Sequence, residues 1–476
     1  MYGVFNLHQS LPAGRAQSGG QSGKPLNDKV GITMSKLYDV IVVGAGPGGA
    51  MAAKVAGENG LTAALIERKT DIKTIRRICT MIINIDEENF GEYITYNYRN
   101  KRFVFPHNGF SIKYDGPFRN VYGFHIVTPC GNRFRIGDSK KGETGEQPPV
   151  GLMIDKGLLC QIMVDEAKAN GVEVYTNTNI NNVRKESDCV VLTDNWGNEY
   201  RGKFVIAADG VNSRIARKLG FNKDRIFLGT YKDMARTYVG AEVPESEVLM
   251  FCMGWPCSIS LAPELPDGQF HLSAASYNVN DDLDGELDRF VRCEPYATWF
   301  KHAKLLEHKS SCVSNIASPI AVPFKDNVLL VGDSGWMQET SITGAILPGW
   351  SAANAVTEAL IKNQINKDGI ANYLKWWDTY LFQPYGKRLA SSGSAEIRDF
   401  LSADDINYLG SLVTEPQPPT MNFFMIMRTI GRAFGGQLER ISEERPDIMQ
   451  KLMAMRSYPR ELVLAAKRKN GCAIVT

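Results

Sequence analysis

The sequence predicts a mixed α/β and α+β molecule. A parallel-sheet domain is interleaved with an antiparallel-sheet domain and followed by a helical C-terminal region. Three observations predict it. Residues 38–67 read as strand, glycine-rich turn, helix and second strand. Two further buried-strand runs, 204–208 and 327–331, end in Asp209-Gly210 and Gly332-Asp333. Residues 81–149 and 226–317 alternate aromatic and polar side chains, the pattern of half-buried antiparallel strands.

Composition narrows the class. The 476 residues allow roughly three domains. Apolar residues make up 43% and the net charge is +2, so the chain packs a core and carries no field that draws it onto nucleic acid. Six dispersed His and nine Cys without a C-x-x-C pair argue against a metal site and a disulfide framework. They fit a reducing, cytoplasmic compartment. No apolar run reaches the roughly 18 residues that span a bilayer. Residues 1–36 read as a flexible extension with no apolar signal region.

In the first unit, Tyr38-Asp39-Val40-Ile41-Val42-Val43 is nearly continuous in apolar residues, as a strand buried on both faces requires. Gly44-Ala45-Gly46-Pro47-Gly48-Gly49 follows as a G-x-G-x-x-G turn. Gly44 permits the tight turn, Gly46 lets backbone approach a pyrophosphate, and Gly49 lets helix pack on strand. The start of the helix over 50–56 offers N–H groups and a positive dipole end to phosphate. The second strand, 61–66, ends in Glu67. A carboxylate there accepts ribose hydroxyls and repels a 2′-phosphate, so the site suits FAD or NAD and not NADP.

The order G-x-G-x-x-G, then Ala208-Asp209-Gly210 with Ser213-Arg214, then Val331-Gly332-Asp333, resembles a known group. It is that of the single-dinucleotide-domain FAD oxidoreductases typified by p-hydroxybenzoate hydroxylase. Within them the chain is most similar to the geranylgeranyl reductase family, over stretches 39–67, 151–220 and 318–359. The resemblance implies a Rossmann-like FAD-binding domain from 37–80, 150–225 and 318–365. It implies a substrate domain from 81–149 and 226–317, and helices over 366–476.

The implied cofactor is FAD. Its pyrophosphate would lie at Gly44, Gly46 and Gly49, with Ala45, Pro47 and Gly48 completing the loop. Its ribose would lie at Glu67 with Arg68 beside it, and its adenine near Ile180. Asp209-Gly210 would brace the pyrophosphate region, and Gly332-Asp333 would hold the ribityl chain. Arg77 would reach cofactor phosphate or a substrate anion. Lys156 stands where relatives carry an Arg that approaches the cofactor, a point charge in place of a fork.

The chain also departs from the pattern. Relatives follow Gly-Asp with Ala-Ala-Gly and then Pro-x-x-Gly-x-Gly, whose glycines begin a helix facing the flavin carbonyls. Here Ser334-Gly335 and Gly344-Ala345-Ile346 stand in their place, with a helix expected over 351–363 and Pro348 near its start. Cys79 stands where geranylgeranyl reductases carry a Cys near the flavin, and is the candidate catalytic residue. The bland reading of Cys79 is a small buried hydrophobe. Trp255 is a partial counterpart of an aromatic strand over the flavin and a candidate wall of the substrate pocket.

The activity implied by the resemblance is hydride transfer from reduced flavin to a carbon–carbon double bond of an apolar, isoprenoid-like substrate. Electrons would come from NAD(P)H or a small redox protein. The same motifs serve FAD monooxygenases, and a non-catalytic binder of an apolar ligand is a third reading. Residues 140–149 read as a loop. Residues 421–434 are strongly apolar with two Arg, and read as a packed helix, a tunnel wall or a helix on a membrane surface.

Overall fold

The computed structural model describes residues 36–457 apart from 76, 226, 277, 310–313, 337–341 and 387–399. The expected extension, except for Lys36, lies outside the described residues.

The strand Leu37–Val43 forms the centre of a mixed sheet. Its apolar run has parallel neighbours on both sides, Ala63–Ile66 and Glu199–Ala207. The strand Glu173–Tyr175 continues the sheet beyond the first neighbour. Val328–Leu330 pairs in parallel with the second half of Glu199–Ala207, and Val190–Asp194 pairs antiparallel with its first half. Register places Ile66, Val43, Ala207 and Leu330 in one row. All four strands therefore end at the same edge, and the turns after them converge there.

The helices Pro47–Glu58, Lys156–Ala169 and Thr343–Ile361 contribute to one apolar core with this sheet. The second sheet has the order Arg133–Ile136, Phe124–Val127, Leu249–Cys252, Ser258–Pro263, Gln269–Ser276, Phe227–Val239, Lys304–Lys309. One pair departs from the antiparallel expectation: Phe124–Val127 and Leu249–Cys252 run parallel. More than 120 residues separate them, and the chain visits the first sheet between the two, so no hairpin constrains their direction.

Three expectations are corrected. Gly151–Ile154 pairs with Ile82–Asn84 and Phe118–Val121 in a small antiparallel sheet, so the chain re-enters the parallel domain only at Lys156. The expected loop over 140–149 begins as a short helix, Ser139–Glu143, because the Asp138 side chain accepts from the Lys140 and Lys141 N–H groups. The late helix starts at Thr343, not at 351, and Pro348 lies inside it. Pro348 removes the donor for the Gly344 carbonyl alone, in the first turn, so the helix continues through it.

Candidate cofactor site

Four turns meet at the common sheet edge. Gly44 has a φ of +100°, and a Cβ on it would lie 2.3 Å from the Ala208 carbonyl oxygen. A Cβ on Gly49 would lie 1.8 Å from the Gly44 carbonyl oxygen, so helix and strand touch there through backbone. Gly46 differs: a Cβ on it meets nothing within 4 Å. Gly46 is also the N-cap, has no side-chain cap, and is followed by Pro47 at the first helical position. The first intrahelical bond runs from Ala50 to the Gly46 carbonyl, which leaves the N–H groups of Gly48 and Gly49 ahead of it. An open space before two unclaimed backbone donors and a dipole end is the cradle that a pyrophosphate requires, so the residues fit FAD.

Glu67 is buried at the end of the second strand. One carboxylate oxygen accepts the Ala45 N–H at 2.6 Å and the other accepts the Lys69 N–H at 2.8 Å. The carboxylate thus shapes the glycine turn, and each oxygen keeps a second lone pair. Its carbonyl accepts from Thr178, which brings the chain leading to Ile180 alongside. Arg68 is exposed.

Asp209 caps the short helix Arg214–Lys218: it accepts from the Ser213 hydroxyl at 2.6 Å and the Arg214 N–H at 2.9 Å. Burial raises its pKa, against those hydrogen bonds. Arg214 donates to the Ile180 carbonyl at 3.2 Å, so the Asp209 turn and the strand beginning at Ile180 are tied together. Gly210 takes a φ of +87°.

Gly332-Asp333 opens a single 3-10 turn. Asp333 forms an ion pair with Arg77, which joins the two candidates. The Ser334 hydroxyl lies 2.7 Å from the carbonyl oxygens of both Ala207 and Val331 and locks the turn to the sheet. Tyr373 donates to the Leu330 carbonyl at 2.5 Å, and the Trp377 indole donates to the Ile320 carbonyl at 2.8 Å. Neither Tyr373 nor Trp377 belongs to a sequence motif, and the anchoring role of Ser334 is visible only in the fold. The Ser after Gly-Asp was the one available signal, because the two aromatics lie in a separate helix, Ala371–Trp377.

The start of the helix Thr343–Ile361 reaches the same place. A Cβ on Gly48 would lie 2.8 Å from the Ala345 carbonyl oxygen, and one on Gly349 would lie 2.1 Å from that of Gly48. The first turns of two helices, those opening at Pro47 and at Thr343, therefore stand side by side.

Cys79 lies beside this group and is partly exposed. Its sulfur accepts the Met81 N–H at 3.3 Å, where Met81 takes a φ of +56°. Burial pushes the Cys79 thiol up, but the Lys156 ammonium, the Met81 N–H and Arg77 outweigh it and hold the thiol below its ordinary value. Lys156 opens its helix beside the Asp155 cap. Trp255 is not brought to these residues. It packs edge-on to Phe290 at 5.2 Å, near Tyr296, with the Arg289 guanidinium over its ring.

Known proteins match this arrangement. Residues 127–250 match the FAD binding domain family. The digeranylgeranylglycerophospholipid reductase of Methanosarcina acetivorans is 30% identical over 365 residues, 72% of this chain and 81% of that protein. The corresponding reductase of Thermoplasma acidophilum is 25% identical over 428 residues, 84% of this chain and 97% of its own. Among solved structures, a geranylgeranyl bacteriochlorophyll reductase-like protein from Thermoplasma acidophilum superposes with a TM-score of 0.64 at 20% identity, covering 86% of this chain and 99% of its own. A flavin-dependent brominase superposes with a TM-score of 0.53 at 16% identity, over 91% and 98%. At these identities the two structures speak for the fold.

Proposed function

The chain belongs to the geranylgeranyl reductase family of FAD-dependent oxidoreductases, and from that premise we propose that it saturates carbon–carbon double bonds of an isoprenoid lipid. The observation that carries this reading is the 30% identity to a digeranylgeranylglycerophospholipid reductase across 81% of that protein. FAD, when bound, supplies the hydride chemistry.

The chain's own work begins with binding. The Gly48 and Gly49 N–H groups would receive pyrophosphate, Glu67 the ribose, Ile180 the adenine, and Asp333 a ribityl hydroxyl. Arg77, closed on Asp333, balances negative charge at that position. Gly344, Ala345 and Ile346 present a helix start to the ring end of the site. Saturating a double bond consumes a hydride and a proton. Cys79 is the S–H donor beside the site, and Lys156 stabilises the thiolate left behind. The electron donor in this reading is NAD(P)H or a small redox protein. Among the described residues no helix is long and apolar enough to cross a membrane.

Stopped-flow oxidation distinguishes reduction from oxygen activation. After anaerobic reduction with dithionite and mixing with oxygenated buffer plus isoprenoid lipid, the expected flavin trace passes directly from reduced to oxidised. A transient absorbance between the two, followed by a hydroxylated lipid, would overturn the reductase reading.

A further inference from the structure

We infer that the outer face of the helix Phe423–Gly435 docks on a bilayer that carries anionic headgroups. The helix is amphipathic. Ile426, Ile430, Ala433 and Phe434 turn inward to the core that holds Phe134, Ile136 and Leu412, and Phe434 stacks on Phe134 at 5.4 Å. The outward side shows Met425 at 40% exposure and Met427 at 42%. Arg428 and Arg432 stand beside them, exposed and one turn apart.

Charge marks the occupant. The helix contains no acidic residue. Neither Arg428 nor Arg432 has an acidic partner among the described residues, and Arg428 reaches only the Met425 sulfur at 3.8 Å. The cations described after this helix are paired instead: Arg440 with Glu444, Arg445 with Asp405 and Asp447, Lys451 with Asp405. Two unpaired guanidinium groups flanked by flexible apolar side chains suit phosphate above and acyl chain below. A nucleic acid would use the arginines but leave the methionines without a partner.

The helix is fixed where such a surface is useful. The Asn422 side chain caps its first turn, and the Asn422 amide donates to the Glu88 carbonyl at 3.0 Å and to Asn89 at 3.1 Å. That segment leads back through the strand Ile82–Asn84 to Cys79. This docking deepens the isoprenoid-lipid reading, but its test needs neither cofactor nor turnover.

The full chain is sedimented with vesicles of phosphatidylcholine alone, or of phosphatidylcholine with phosphatidylglycerol. The expected result is preferential binding to the anionic vesicles. Arg428→Gln with Arg432→Gln lowers that binding by roughly 25-fold, about fivefold per arginine, and leaves binding to neutral vesicles unchanged. Met425→Ser with Met427→Ser lowers binding to both. Circular dichroism melts of each variant show that the fold persists. A wild-type chain that stays in the supernatant, variants that bind like the wild type, or variants that instead dissociate a dimer would each overturn the inference. None of these outcomes touches the reductase reading, which the oxidation trace decides separately.

Discussion

Gly46 and Gly49 are the same residue type three positions apart, and they do opposite work. Gly49 is glycine because backbone fills the place of its side chain, 1.8 Å from the Gly44 carbonyl oxygen. Gly46 is glycine although nothing of the chain stands there, which leaves a ligand as the reason. Gly46→Ala should therefore keep the melting temperature of the cofactor-free protein and weaken FAD binding by roughly tenfold to a hundredfold, the effect of a misplaced methyl worth about 1–3 kcal/mol. Gly49→Ala should destabilise the cofactor-free protein itself by about 1–3 kcal/mol. Thermal melts with and without FAD separate the two. Both glycines were legible, because their spacing is a property of neighbouring residues. Ser334 and Met81 were not legible as site-shaping residues, since their partners, Ala207 and Cys79, are set by turns that only the folded chain closes.

At the level of elements, the strap that holds the amphipathic helix has its own pH dependence. The Glu87 carboxylate accepts the Thr420 hydroxyl at 2.5 Å and the Met421 N–H at 3.3 Å. Burial raises its pKa to about 7, against the Thr420, Met421, Asn422 and Asn84 hydrogen bonds that lower it. A folded-state value above the unfolded one stabilises the fold fully below the unfolded value, and that contribution is lost as pH rises through about 7. The opening free energy of 420–435, taken from hydrogen exchange after the intrinsic rise of exchange with pH is divided out, should thus fall between about pH 4.5 and about pH 7 in the wild type, and Glu87→Gln should flatten that fall. Equal pH dependence in both proteins would remove Glu87 as the cause. The strap could not be read from sequence, because 333 residues separate Glu87 from Thr420. The helix Thr343–Ile361 was misread for a different reason: Pro348 looks like a boundary unless the lost hydrogen bond falls on a first-turn carbonyl.

Across the whole molecule, what the sequence carried was the parallel domain, because each strand announces itself by an apolar run and each turn by its glycine and acid. Ile66, Val43, Ala207 and Leu330 align in one row, so three motifs spread from Gly44 to Asp333 become one site. The second sheet was legible as strands but not as an order, since its parallel pair joins Phe124–Val127 to Leu249–Cys252 across a return to the first sheet. Trp255 shows the same limit: its family position suggested a pocket wall, while Phe290 and Tyr296, far along the chain, enclose it. The claim that joins fold to chemistry is that this site reduces isoprenoid double bonds. The direct measurement incubates the FAD-loaded chain anaerobically with dithionite and a digeranylgeranylglycerophospholipid in vesicles, and follows the lipid by mass spectrometry. Reductase chemistry predicts progressive saturation of the isoprenoid chains, strongly slowed in Gly46→Ala at limiting FAD. Unchanged lipid recovered from a chain whose bound flavin is visibly reduced would contradict it.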